Sequence, residues 1–132
     1  IEKETEGSMI HEFASNCERI RDSFLAMLHG AKERSVSICG YTAPAKSTVL
    51  LNYCGVGTDL IPVILDSTTS KQGRRIPGTK QPIVSSSMLS EINPDIAVVF
   101  AWNHLAEISI KEHKYLDKGG KFIIPYSRKG QS

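Results

Sequence analysis

The sequence predicts an α/β fold with a mostly parallel sheet, on the strength of two observations. Short runs of apolar, β-branched residues alternate with helical patterns along the chain, which is the order that crossover helices and parallel strands produce. The runs IPVIL and IAVVF are apolar throughout, which is typical of strands covered on both faces. Together these features indicate a Rossmann-like three-layer sandwich preceded by a long N-terminal helix.

The N-terminal helix is predicted from residues 8–28. Apolar side chains recur there at spacings of three and four, which places them on one helical face. Ser8 is expected to cap the start of the helix and Gly30 to end it. The apolar face comprises Ile10, Phe13, Cys17, Ile20, Phe24 and Leu28.

Five strands and three further helices follow in the predicted order. Gly55 is expected to stop the first of these helices, and Asp66 to close the second strand. The predicted strands are residues 36–39, 61–65, 83–84, 96–102 and 121–125. The predicted helices are residues 46–54, 86–92 and 105–116.

Composition narrows the class of protein. The 132 residues are 40% hydrophobic, which suits one domain over residues 1–132. The formal net charge of +2 does not indicate nucleic-acid binding, and no apolar run approaches the length of a membrane span. The chain starts without a methionine, and we expect it to be a piece of a longer protein.

The cysteines and histidines predict no metal site. Cys17, Cys39 and Cys54 have no CxxC spacing, and each lies in an apolar pattern. We therefore expect reduced, buried thiols and a cytoplasmic location. The four histidines form neither an HxxxH nor an HExxH motif.

The stretch GYTAPAK follows the first predicted strand and is a candidate phosphate site. Gly40 permits a tight turn, Thr42 or Ala43 can cap the next helix, and Pro44 suits its first turn. Free N–H groups at that turn, together with Lys46, would attract an anion. The alternative is an ordinary strand-to-helix turn with a solvated lysine.

Asp66 ends the second strand, where dinucleotide-binding folds carry an acid that binds ribose. The polar connection after it, residues 67–82, is longer than most, and such loops are usually functional or mobile. It contains Lys71, Arg74, Arg75 and Lys80 but no acidic residue. We expect this loop to close over a diphosphate, or else to be a solvated run of charges.

The segment AWNH ends the fourth predicted strand. Asn103, after Trp102, can orient a ligand or pin a neighbouring loop by hydrogen bonds, and Glu107 lies one turn further on, facing the same way. No Ser-His-Asp set, Cys-His set or carboxylate pair is visible from spacing, so no catalytic residue is predicted.

Four stretches together resemble a known family. GYTAPAKSTVLLNYCG, SKQGRRIPGTKQPI after Asp66, PDIAVVFAWNHLAEI and GGKFIIP are similar to the C-terminal domain of S-adenosylmethionine (SAM)-dependent C-methyltransferases that act on nucleotide-linked deoxysugars. The resemblance covers residues 8–125. This chain departs from the family pattern at Thr42 and Ser47, where glycines are usual, and at Thr69 and Ser70, where Asn-Pro is usual.

The resemblance implies an accessory, substrate-binding domain. The parent enzyme would carry a zinc-binding segment and a SAM-binding methyltransferase domain upstream, and the nucleotide-linked sugar would bind between the domains. No cofactor and no catalytic residue is expected in this chain. The substrate-binding residues that the resemblance implies are Gly40, Tyr41, Lys46, Asp66, Lys71, Gln72, Gly73, Trp102 and Asn103.

The alternative is a non-catalytic module. A stand-alone nucleotide- or CoA-binding Rossmann-like domain would also have a glycine, a small residue and a lysine after its first strand. A domain used only for subunit packing is a further possibility. Partners beyond the sugar nucleotide and the upstream domain are not expected, and neither nucleic acid nor membrane is among them.

Overall fold

A computed structural model describes the backbone of residues 2–125 and the side chains of residues 17–44, 47–101 and 103–125. It confirms the α/β fold. Five parallel strands form one sheet in the order β3-β2-β1-β4-β5. The chain therefore reverses direction across the sheet between β1 and β4, as in doubly wound folds. The strands are β1 (Ile38–Tyr41), β2 (Ile64–Asp66), β3 (Ile83–Ser85), β4 (Ile96–Val99) and β5 (Lys121–Ile123).

Helices cover both faces of this sheet. They are α1 (Glu2–Glu33), α2 (Ala45–Cys54), α3 (Leu89–Ile92), α4 (Leu105–Lys111) and α5 (His113–Asp117), with 3-10 turns at Ser86–Met88 and Trp102–His104. The core on the α1 and α2 face includes Phe24, Leu28, Leu51, Ile64 and Val98. The core on the α3 to α5 face includes Tyr41, Leu65, Leu89, Val99 and Ile108. The predicted three-layer arrangement is thus present.

The long N-terminal helix extends beyond its predicted bounds at both ends. Ser8 lies inside it, so it is not the cap, and its side chain is outside the described residues. Gly30 does not end it either, because Leu28 and Ala31 are buried on either side and a helix tolerates one glycine at a cost of about 1 kcal/mol. Among the described residues, no helix combines the length and apolar character that crossing a bilayer requires.

Several element boundaries differ from the prediction: β2 begins later, at Ile64, β4 and β5 end earlier, at Val99 and Ile123, and α3 begins at Leu89 after a 3-10 turn. Two further differences have a clear physical reason. The first strand is shifted two residues along the chain, to Ile38–Tyr41, because its partners in β4 begin at Ile96. The helix predicted over residues 105–116 breaks at Glu112, where φ is −104° and ψ is 31°. Beyond the break Tyr115 is buried, and its hydroxyl donates to Pro94 O at 2.8 Å.

The β2–β3 loop, residues 67–82, is packed against the domain. Asn52 Nδ2 on α2 donates to Pro77 O at 2.8 Å, and the fully buried Gln81 donates to Val56 O at 2.8 Å. The loop also bonds to strand β3: Gly73 N donates to Ile83 O at 2.9 Å, and Ile83 N donates to Arg74 O at 2.8 Å. The length of this loop therefore reflects a folded connection with its own internal contacts.

Candidate functional site

The carboxyl ends of the parallel strands bring four chain segments to one edge of the sheet. These segments follow Tyr41, Asp66, Ser85 and Val99. In an open α/β sheet this edge carries ligands, at the point where the strand order reverses. Here that point lies between β1 and β4, so the first residues after those two strands are the ones best placed to meet a ligand.

Asp66, the last residue of β2, is engaged by backbone groups of its own chain. It is 4% exposed. Its Oδ2 accepts from Ala43 N at 2.7 Å and its Oδ1 accepts from Thr68 N at 2.7 Å. Burial acts to raise the pKa of Asp66, but the donors from Thr68 and Ala43, with the nearby Lys71 ammonium, hold it below its ordinary value. This carboxylate fixes the turn after β1.

The GYTAPAK turn differs from the prediction at its glycine. Gly40 is the third residue of β1, so the prediction of a tight turn there is wrong. A Cβ at Gly40 would lie 2.9 Å from Ile64 Cγ1 and from Phe100 Cε2, so glycine is needed for close packing of the core. The turn begins at Thr42, whose φ is 71°, and neither Thr42 nor Ala43 caps α2, because Pro44 occupies the N-cap position.

The anion held by this turn is the chain's own carboxylate. Free N–H groups were expected at this turn, but the Ala43 N–H donates to Asp66. Lys46 lies in the first turn of α2, and its side chain is outside the described residues.

Tyr41 is the last residue of β1, and its side chain is buried. It is 2% exposed and belongs to the core beneath α3 to α5. Its hydroxyl donates to Glu112 Oε2, and burial, followed by the Glu112 carboxylate, raises the pKa of that hydroxyl. Tyr41 and Gly40 are neighbours in one strand and so face opposite layers.

The three motif residues of the β2–β3 loop also make internal bonds. Lys71 Nζ donates to Ala43 O at 2.9 Å and lies 3.9 Å from Asp66 Oδ2. Gln72 Nε2 donates to Asp66 O at 2.9 Å. Gly73 has a φ of 86°, a left-handed conformation that favours glycine. The Lys71 bond joins the loop to the GYTAPAK turn, and the Gln72 bond joins it to the end of β2.

The remaining basic residues of the loop face solvent. Arg74, Arg75 and Lys80 are exposed. Arg75 Nη1 donates to Lys80 O at 3.1 Å, which is a local bond within the loop. Their arrangement fits the alternative of a solvated run of charges.

The segment after β4 is different, because its polar side chains are exposed. Asn103 Nδ2 lies 3.4 Å from His104 Nε2, and His104 Nδ1 lies 3.8 Å from Glu107 Oε2. Trp102 belongs to the 3-10 turn here, and its side chain is outside the described residues. Loop-pinning was one of the two roles considered for Asn103, and a bond of that kind is made here by Thr42, whose Oγ1 accepts from Ala101 N at 3.1 Å.

Sequence reasoning missed two structural polar residues. Gln81 is fully buried and supports the β2–β3 loop, and Glu112 accepts from the Tyr41 hydroxyl. Gln81 lies in a segment of turn-forming residues between Pro77 and Pro82, and Glu112 lies in a charged helical pattern. Neither residue therefore has a local sequence signal. Their partners are 25 and 71 residues away along the chain.

The described thiols and carboxylates show no metal cluster. Among these residues, no group of three metal-ligating side chains comes together. Cys39 and Cys54 are buried free thiols as predicted, whereas Cys17 is only half-buried. Burial raises the pKa of the Cys39 thiol to about 12, which keeps it protonated and unreactive near neutral pH.

Comparison with known proteins agrees with the motifs. The model of the C-methyltransferase C-terminal domain family matches residues 2–126. The C-methyltransferase NovU of Streptomyces niveus is 37% identical over 114 residues, which are 86% of this chain and 27% of NovU. The chain thus spans 27% of the length of that relative. Since the match covers nearly every residue from α1 to β5, the chain belongs to the C-methyltransferase C-terminal domain family.

Proposed function

We propose that this chain is the substrate-binding C-terminal domain of a SAM-dependent C-methyltransferase, and that its substrate is a nucleotide-linked sugar. The family match and the similarity to NovU support a role in C-methylation. In this proposal the domain supplies one wall of the substrate cleft. A SAM-binding domain elsewhere in the parent protein supplies the other, and the enzyme works in the cytoplasm.

One observation carries the proposal: the polar segment after β4 is open at the ligand-binding edge. Asn103 and Glu107 are exposed there, beside the point where the strand order reverses. An asparagine amide offers both a donor and an acceptor, which suits the hydroxyl groups of a sugar. Asp66 at the same edge already accepts two backbone N–H groups, so Asn103 is the better candidate for a ligand contact.

The described residues do not fit a SAM site of their own. Such a site in a Rossmann-like fold needs an open glycine turn after β1 and an acid free to bind ribose. Gly40 lies within β1 and the Asp66 carboxylate is engaged. We therefore place SAM, the methyl donor, on another part of the parent protein.

The role left to this domain is positioning. In C-methylation next to a carbonyl, a base removes a proton and the resulting enolate attacks the methyl group. No step in this proposal uses a residue of this chain as the base. Its hydrogen bonds to the sugar would hold the reacting carbon in line with the methyl group, and such orientation contributes strongly to rate.

The experiment is Asn103→Ala in the full-length enzyme. Losing a neutral hydrogen bond weakens binding by about 1 kcal/mol, so we expect the KM for the nucleotide-linked sugar to rise about five-fold. The affinity for SAM should not change. Since the Asn103 side chain is exposed, the free energy of unfolding should change by less than about 0.5 kcal/mol.

Asn52→Ala is the matched control. Asn52 Nδ2 donates to Thr48 O and to Pro77 O, both at 2.8 Å, so this variant should melt at a lower temperature and keep a normal KM. An Asn103→Ala enzyme with an unchanged KM and kcat would refute the substrate role of the segment.

The non-catalytic alternative has less support. A stand-alone nucleotide- or CoA-binding module would use the free N–H groups of the turn after β1, whereas the Ala43 N–H donates to Asp66. Tight binding of CoA or NAD to the 132-residue chain, measured by calorimetry, would favour that alternative.

A further inference from the structure

A cleft beside α3 has no role in the proposed function. It lies between α3 and the α4–α5 pair and has a volume of about 510 Å³. This is within the range of roughly 300–1,000 Å³ that small-molecule sites occupy. We call it the helical cleft. It does not include Asn103, His104 or Glu107.

One wall of the helical cleft is basic. Lys111, Lys114 and Lys118 line it together with His113. In the described part of the chain, none of these three ammonium groups forms an ion pair with a carboxylate. Three unpaired lysines around one concave surface produce a positive potential that attracts anions.

The other wall carries four small polar side chains beside the apolar Leu89. Ser86, Ser87, Ser90 and Asn93 line it. Over the described residues, the Ser90 hydroxyl and the Asn93 amide have no hydrogen-bond partner. Ser87 Oγ lies 2.9 Å from Ser85 Oγ and keeps further hydrogen-bonding capacity. This wall therefore offers neutral donors and acceptors.

The carboxylate in the cleft is directed toward the core. Glu112 is half-buried and accepts from the Tyr41 hydroxyl beneath the cleft. The cleft is lined by three lysines and this one glutamate. The hydrogen bond from Tyr41 directs the Glu112 carboxylate away from a ligand in the cleft. The cleft is thus positive on one wall and neutral on the other, where polar side chains flank Leu89.

We propose that the helical cleft binds a small phosphorylated polyol, such as a sugar phosphate. The phosphate lies against the lysines, which bind phosphate as point charges. The hydroxyl groups lie against Ser87, Ser90 and Asn93. Inorganic phosphate would leave most of the cleft volume empty, and a neutral sugar would leave the lysines unpaired, so the combination fits the two walls best.

The test is a calorimetric titration of the 132-residue chain with three probes: glucose 1-phosphate, inorganic phosphate and glucose. We expect saturable binding of glucose 1-phosphate, weaker binding of phosphate and no measurable binding of glucose. Lys114→Ala should weaken glucose 1-phosphate binding about ten-fold, because a charge-assisted contact is lost. Ser90→Ala should weaken it about three-fold and leave phosphate binding unchanged.

Lys32→Ala is the matched control. Lys32 is an exposed lysine on α1, 3.7 Å from Asp59, and α1 packs on the other face of the sheet. Its removal changes the net charge by the same amount and should not change binding. Melting curves for each variant establish that the fold is retained.

Three results would overturn the proposal. The first is no saturable binding of glucose 1-phosphate at millimolar concentration. The second is an equal loss of affinity in Lys32→Ala and Lys114→Ala, which would indicate attraction by net charge alone. The third is phosphate binding as tight as that of glucose 1-phosphate with no effect of Ser90→Ala, which would remove the polyol from the site.

Discussion

The ends of β2 and β4 lie at the same edge of the sheet, yet the polar residues at the two ends differ in hydrogen bonding and exposure. After β2, Asp66 and Gln72 bond to the chain itself, with the Lys71 ammonium beside them. After β4, Asn103 and Glu107 are exposed. Residues of similar chemistry therefore stabilise the fold at one strand end and remain accessible to a ligand at the other.

The difference teaches that a residue type and a strand end do not together define a binding site. A polar side chain is available to a ligand only if backbone groups of the same chain do not already hydrogen-bond to it. Asn52 and Asn103 illustrate this. The amide of Asn52 donates to two carbonyls, whereas the amide of the exposed Asn103 lies beside the adjacent His104 ring.

The largest expected effect comes from breaking the closed side at Gly78. Its φ is 86°, and a Cβ there would lie 2.0 Å from Asn52 Oδ1. Gly78→Ala must strain the backbone, at about 1–2 kcal/mol, and also displace Asn52 from Pro77 O, at about 1–2 kcal/mol. We expect the free energy of unfolding to fall by about 3 kcal/mol in urea denaturation.

Gly73→Ala is the control for that measurement. Gly73 has the same φ of 86°, but nothing lies within 4 Å of its Cβ position, so only the backbone strain applies. Adding Asn52→Ala to Gly78→Ala should cost little more, because the clash is then relieved. If Gly73→Ala and Gly78→Ala are equally destabilising, Asn52 does not hold the β2–β3 loop.

A smaller effect is expected at Asp66. Asp66→Asn replaces one of two carboxylate oxygens with an NH₂ group that faces a backbone donor, which should cost about 2–3 kcal/mol at neutral pH. Because the folded pKa of Asp66 lies below its ordinary value, its stabilisation is complete above a pH of about 3.9 and is lost as the pH falls through the folded value.

In urea denaturation across the acid range, wild type should therefore be more stable than Asp66→Asn at neutral pH, and the difference should shrink as the pH falls through the lowered pKa of Asp66. Asp59→Asn is the matched control, since Asp59 and Lys32 form an exposed pair and such pairs contribute at most about 1 kcal/mol. A constant difference between wild type and Asp66→Asn at every pH would contradict the ionised role of Asp66.

The smallest effect concerns Thr42, which connects the turn after β1 to the segment after β4. Its Oγ1 accepts from Ala101 N at 3.1 Å. Thr42→Val keeps the branched shape and leaves this N–H without its acceptor, so thermal unfolding should show a loss of about 1–2 kcal/mol. Thr42→Ser keeps the hydroxyl and should stay within about 0.5 kcal/mol of wild type. Equal stability of the Val and Ser variants would show that the bond is unimportant.

The sequence predicted the layers and the parallel sheet, because apolar runs such as residues 96–99 report burial directly. It did not predict the strand ends well, since those depend on partners elsewhere in the sheet, as the shift of β1 toward Tyr41 shows. Within the candidate site, the nine residues implied by the resemblance include Asp66 and Lys71, whose bonds to Ala43 join positions far apart in the chain. Local pattern cannot reveal such bonds.

The bonds between the β2–β3 loop and Ile83 have a consequence for solubility. A strand at the edge of a sheet exposes unpaired N–H and C=O groups, which invite another chain to add to the sheet. At the β3 edge, Gly73 N and Arg74 O already occupy the outward-facing groups of Ile83. Shortening this loop would therefore expose the edge of β3 to strand addition by another molecule, and we expect the shortened protein to aggregate.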